Sequence, residues 1–151
     1  VNYFIENAEL YEEFLVQRLT DGFRKYGEVK SFWLGGEYSY AIVTKDVPYG
    51  DSIVTPLTDK KILEKCLELG SKVNKAIPKL EFNGRKTLPV MTRVDLVCCL
   101  DNKPLSSYDY YLNEIEEGGL AGSYTDFKQI TFPFVEVLSE AYVRKARELL
   151  E

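Results

Sequence analysis

Apolar positions recur every second residue over several stretches of the chain and at helical spacing over two others; this change of period sets the expected elements. Residues 13–20 (EFLVQRLT) form a short apolar run with β-branched character and predict a strand. A turn region follows over 21–27, carrying Arg24 and Lys25. Residues 28–34 (EVKSFWL) alternate, with Val29, Ser31 and Trp33 on one face and Lys30, Phe32 and Leu34 on the other. Gly35-Gly36 is a two-residue hairpin signal, because both glycines take positive φ without strain. Residues 37–45 (EYSYAIVTK) then return antiparallel, which gives a three-stranded meander.

Pro48-Tyr49-Gly50-Asp51 marks a loop. Thr58 or Asp59 can cap a helix running to about Lys75, with Ile62, Leu63, Cys66, Leu67, Leu69, Val73 and Ile77 at helical spacing. Pro78 ends it, and Asn83-Gly84 is a turn. Residues 88–100 (LPVMTRVDLVCCL) predict a long strand, 101–107 a polar connection, and 108–117 (YDYYLNEIEE) the returning strand. After the glycine-rich loop 118–123, Pro133 suits the first turn of a final helix carrying Val137, Leu138, Ala141, Tyr142, Lys145 and Leu149 on one side. The order β-β-β-α-β-β-α, without repeats or a domain-scale linker, predicts one α+β domain over 1–151, a largely antiparallel sheet with two long helices.

Composition narrows the chemistry. With 19 Lys plus Arg against 24 Asp plus Glu the chain is acidic, which argues against duplex nucleic acid and anionic membranes as partners. There is no histidine, so Ser-His-Asp and Cys-His nucleophile pairs and imidazole-bound zinc are excluded. Chemistry must therefore run on carboxylates, Lys, Arg, Tyr, backbone dipoles or a hard metal. Cys66, Cys98 and Cys99 are an odd count without metal spacing, and predict reduced thiols in a cytoplasmic compartment. No apolar run approaches the roughly 20 residues needed to span a bilayer.

The richest constellation lies on the predicted strands 88–100 and 108–117. Arg93 and Asp95 share one face, as do Leu112, Glu114 and Glu116 on the partner. If the register joins those faces, three carboxylates crowd together, and repulsion demands a cation: Arg93, a lysine or a divalent metal. Spacing alone leaves a solvated charged strand face and an all-oxygen metal site equally open. Val94, Leu96, Leu112 and Ile115 make both strands look central, where charges need a reason. Tyr108, Tyr110 and Tyr111 stand among acidic residues, so sheet packing is expected there rather than base stacking.

RVDLV (93–97) followed by YLNEIE (111–116) resembles the paired strands of the ATP-grasp superfamily. FLVQRLTDG (14–22) is similar to that family's strand into the adenine-binding hinge, and 27–45 resembles its GE-x-(R/K)-x-hydrophobic hairpin. FPFVEVLSEAYVRKA (132–146) resembles the closing helix of ligase members. The resemblance implies an ATP-grasp-like carboxy-terminal subdomain, with the amino-terminal lobe that carries phosphate-binding lysines not represented in the chain.

The cofactors implied are ATP and Mg²⁺. The resemblance makes Asp95 and Glu114 magnesium ligands, with Glu116 standing where the family usually has Asn. It puts Gln17, Arg18 and Leu19 at the adenine, Glu28 and Lys30 along the nucleotide or acceptor side, and Lys45 and Arg93 near phosphates or the acyl-phosphate oxygen. The implied activity is a carboxylate–amine ligase: a small carboxylate is activated as an acyl phosphate and attacked by an amine or similar nucleophile. The alternative is a non-catalytic fragment or interaction module that keeps the half-fold.

Overall fold

The computed structural model describes residues 20–45, 52–82, 84–98, 109–117 and 134–150. Their order is α1 (Asp21–Tyr26), β1 (Glu28–Leu34), β2 (Glu37–Lys45), β3 (Ile53–Pro56), α2 (Lys60–Ala76), β4 (Leu80–Phe82), β5 (Arg85–Thr87), β6 (Met91–Cys98), β7 (Tyr110–Glu117) and α3 (Phe134–Leu150). The fold is α+β. Five strands form one sheet in the order β3-β2-β1-β6-β7, with every neighbouring pair antiparallel, while β4 and β5 make a separate two-stranded ribbon.

Both central strands, β1 and β6, are buried along their whole length, so each sheet face is covered. On one face Val29, Trp33, Ala41, Val94 and Leu96 pack against Ile62, Cys66, Val73 and Ile77 of the α2 segment. This is the stripe that the helical spacing predicted. Phe32, Val94 and Leu96 are fully buried, and each such side chain contributes roughly 1.5–3 kcal/mol by leaving water. On the opposite face Leu34 and Met91 meet Ala141, Val137 and Leu138 of α3.

Local signals set the ends of α2. Asp59 Oδ1 accepts from the backbone N–H groups of Lys61 and Ile62 at 2.9 and 3.1 Å, satisfying two donors that the first turn leaves open. At the other end Ile77 is extended, as the residue before Pro78 must be. The β1–β2 turn puts Gly35 at φ 61° and Gly36 at φ 87°, the left-handed values expected of that pair. Two buried groups close locally: Ser31 Oγ donates to the Val94 carbonyl at 2.9 Å and accepts from Trp33 Nε1 at 3.1 Å.

The structure corrects four expectations. Residues 21–26 are a short helix rather than a turn; its segment packs on β6 and β2. The strand expected over 13–20 cannot flank β1 in a meander, because both edges of β1 are already paired, to β2 and β6. Thr20 is instead the residue that precedes α1, and 13–19 lie outside the described residues. Ile53–Pro56, too short to show a strand period in the sequence, is the sheet edge beside β2. Leu80–Phe82 and Arg85–Thr87, which carry too little apolar pattern to predict, pair as two short antiparallel strands, and Asn83 lies outside the described residues. Among the described residues no helix is long and apolar enough to cross a membrane.

Cys66 and Cys98 are buried thiols outside any disulfide. Burial, then the neighbouring Cys98, pushes the Cys66 thiol up to about 12. A thiol in that state supplies no nucleophile near neutrality.

Candidate functional site

Register decides which charges meet. Antiparallel pairing sets Lys30 opposite Asp95 and Phe32 opposite Arg93 on β1 and β6, while β6 and β7 set Arg93 opposite Glu116 and Asp95 opposite Glu114. Glu28, Lys30, Arg93, Asp95, Glu114 and Glu116 therefore share one face of the sheet. It is the face on which α3 packs further along, over Leu34 and Met91.

Asp95 is the centre. Its side chain is fully buried, and Lys30 Nζ donates to Oδ2 at 2.7 Å. Arg93 Nε donates to Oδ1 at 2.8 Å and Nη2 to Oδ2 at 2.8 Å, a two-point guanidinium–carboxylate fork. Lys30 also reaches Glu28 Oε2 at 2.5 Å, and Arg93 Nη2 reaches Glu116 Oε1 at 3.1 Å. Glu114 Oε2 lies 4.0 Å from Arg93, with half of its side chain exposed. Four carboxylates thus surround two cations, and the surplus negative charge sits toward Glu114 and Glu116 on the edge strand.

Electrostatics follow this layout. Burial works against the charge on Lys30, yet the hydrogen bonds it donates to Asp95 and Glu28 outweigh that and hold the ammonium above its ordinary range. Arg93 is likewise raised, burial being overcome by Asp95 and then by Glu116 and Glu114. Glu114 moves the other way for an acid. Partial burial and the neighbouring Glu116 and Asp95 raise its pKa, against a smaller pull from Arg93 and Lys30. A raised acid loses stability as pH climbs through the carboxylate range, because the unfolded chain ionises first. Glu114→Gln therefore gives a chain slightly more stable than the parent at neutral pH, with the gain vanishing below about pH 4. Urea melts of both chains at pH 3.5 and pH 7 check this; a loss at pH 7 counts against the crowding.

The structure brings together Glu28, Lys30, Arg93, Asp95, Glu114 and Glu116. It does not bring in Lys45. That side chain donates to the Lys25 carbonyl at 2.8 Å, tying the end of β2 to α1. Gln17, Arg18 and Leu19, Tyr108 and the loop 118–123 lie outside the described residues. Leu112, grouped with Glu114 by simple alternation, is on the other face: a bulge in the β6–β7 ladder pairs it with Leu96.

The same bulge turns Asn113 toward the cluster, where its Nδ2 donates to Glu28 Oε1 at 2.6 Å. Sequence reasoning missed this residue. The signal was the pair of consecutive polar residues, Asn113-Glu114, interrupting an alternating strand.

As a cation site the face is mixed. Its donors are all oxygen, which suits a hard divalent ion, and its surplus charge is negative. Asp95, however, is already engaged by Lys30 and Arg93, and no three acidic or thiol groups among the described residues gather in a way that could hold a metal ion.

No family model matches the chain, and no curated protein matches it. Among solved structures it is similar to the crystal structure of D-cycloserine synthetase DcsG, at a TM-score of 0.49 and 18% identity over 85% of this chain. This chain spans 41% of the length of that one.

Proposed function

We propose that the charged face of β1, β6 and β7 is the ATP- and magnesium-binding surface of an ATP-grasp-type ligase lobe. One observation carries this reading: Asp95, Glu114 and Glu116 converge around Arg93 on one sheet face, with more negative charge than the two cations balance. The motifs over 27–45, 93–97 and 111–116 support it, since they resemble that superfamily in order as well as in residue type. Buried thiols at Cys66 and Cys98 that form no disulfide fit a reducing, cytoplasmic compartment.

In this reading Glu114 and Glu116 hold the metal, with Asp95 behind them and Arg93 neutralising and orienting the pair. Bound magnesium would supply charge neutralisation for the nucleotide phosphates. Lys30, clamped by Glu28 and Asp95, fixes the carboxylates' positions, and Asn113 fixes Glu28. The reaction class is transfer of the ATP γ-phosphate to a small carboxylate, releasing ADP. Attack of an amine or similar nucleophile on the acyl phosphate then expels phosphate.

A specific observation favours the second reading, a non-catalytic module: Asp95, Lys30 and Arg93 satisfy one another, as a purely structural network would. Calorimetric titration with ATP, with and without magnesium, separates the two. The ligase reading expects magnesium-dependent heat that falls at least tenfold in affinity in a Glu114→Gln, Glu116→Gln chain of unchanged far-ultraviolet spectrum. Equal heats with and without magnesium, or none at all, support the module.

A further inference from the structure

Between α3 and the β1–β2 hairpin lies a half-open cavity of about 250 Å³. Among the described residues its apolar wall is Leu34, Val137 and Ala141, the same side chains that seat α3 on the sheet. Its polar wall holds Ser39 and three charged groups, Glu37, Glu140 and Arg144. Two local features leave the space unfilled. The β1–β2 ladder shifts by one residue between Phe32 and Trp33, so Ser39 is the extra residue of a bulge and has no counterpart on β1. Ala141, the helix residue buried at this contact, carries only a methyl group.

The charges on the polar wall do not cancel. Arg144 Nη1 lies 3.4 Å from Glu37 Oε1. Its Nη2 rests against Gly35, where an added Cβ would come within 2.5 Å of it. The guanidinium is therefore held at the hairpin. Glu140 precedes Arg144 by four residues, the spacing and order that favour an ion pair along a helix. That pair does not form, and among the described residues Glu140 has no ion-pair partner. One uncompensated carboxylate thus stands beside an apolar floor.

A complementary ligand brings one positive charge for Glu140 and an aliphatic body for Leu34, Val137 and Ala141. An anion is disfavoured, because Glu37 already neutralises Arg144. Drug-sized ligands occupy roughly 300–1,000 Å³, so the occupant is smaller than these. We propose that this cavity binds a small aliphatic ammonium ion, whose ammonium group donates to Glu140 while its alkyl chain covers the apolar wall. The site is separate from the charged face: Leu34 stands four residues from Lys30 along β1, roughly 13 Å at about 3.3 Å per residue. Neither reading depends on the other.

Titration of n-butylammonium into the isotope-labelled 151-residue chain, followed by backbone amide shifts, tests the proposal. Shifts confined to 34–39 and 137–144 are expected, saturating with a dissociation constant of about 1 mM, the strength of one partly exposed ion pair with a few covered methylenes. Glu140→Gln weakens binding at least fivefold, and Ser39→Leu, which fills the cavity, removes it. Glu68→Gln, an exposed carboxylate on α2, leaves it unchanged. n-Butanol, of the same shape without the charge, binds at least tenfold more weakly. Circular dichroism verifies that each variant keeps the parent's fold. Shifts that scatter over surface acids without saturating by about 20 mM overturn the proposal. So does undiminished binding in either the Glu140→Gln or the Ser39→Leu chain, or butanol that binds as well as the amine.

Discussion

Asp95→Ala is expected to lower the stability of the chain by about 3–5 kcal/mol, the range for breaking a buried ion pair by removing one partner. The reason is what remains. Lys30 and Arg93 are almost fully buried, and Asp95 supplies both of the guanidinium's fork contacts and one of the ammonium's two carboxylates. Without it two cations stay out of water, facing each other, and lose the carboxylate they share, while Glu28 and Glu116 keep one contact each. With a urea m-value of roughly 2 kcal/mol/M, the midpoint falls by about 2 M. Glu68→Ala is the contrast. The Lys72–Glu68 pair has comparable geometry, at 2.6 Å, but both side chains are mostly exposed, so water replaces the lost partner and the midpoint stays put. Equal midpoints for Asp95→Ala and the parent chain would mean that the network contributes nothing to folding.

The second large effect concerns a single methyl group. Gly22 lies inside α1, where helix propensity alone makes Gly→Ala stabilising by about 0.8–1 kcal/mol. Here the sign is reversed. A Cβ on Gly22 would overlap the carbonyl oxygen and carbon of Cys98, backbone atoms at the end of β6 that cannot rotate away. The helix must lift off the sheet, at a cost of about 3 kcal/mol. For a chain of this length that corresponds to a melting temperature lower by roughly 6–12 °C. Gly22→Ala therefore discriminates between local preference and tertiary contact, and a raised melting temperature would show that α1 does not approach β6 this closely.

Much of the fold was legible because it follows from periods and punctuation. Alternation over 28–34 and the two glycines that follow it left one sensible pairing with 37–45, and the structure has it. Asp59 and Pro78 bracket an apolar stripe, so α2 has its cap, its stop and its buried face in the sequence itself. Three strands escaped prediction for an equally physical reason. Ile53–Pro56 and the ribbon of Leu80–Phe82 with Arg85–Thr87 are three or four residues long, too short to establish a period. The short helix 21–26 escaped too, since its residues DGFRKY carry turn formers and few apolar positions.

At the site, the pairing of Arg93 and Asp95 with Glu114 and Glu116 was readable, because residues two apart on a strand share a face and adjacent antiparallel strands share faces. Repulsion among the carboxylates also required a cation, and Arg93 together with a lysine supplies it. That the lysine is Lys30 follows from β1 lying against β6, a pairing of residues about sixty positions apart in the chain that no local signal specifies. Asn113 depends on a bulge, which shifts facing by one residue and defeats any reading by alternation.

By itself, then, the amino-acid order determined the α+β class, the hairpin, the ends of α2 and the absence of imidazole chemistry, all consequences of short-range geometry and composition. Tertiary structure alone decided that β1 sits between β2 and β6, that Lys30 rather than Lys45 joins Asp95, and that Asn113 replaces Leu112 on the charged face. Those outcomes depend on strand order and register, which are chosen by the packing of both sheet faces against helices distant in sequence.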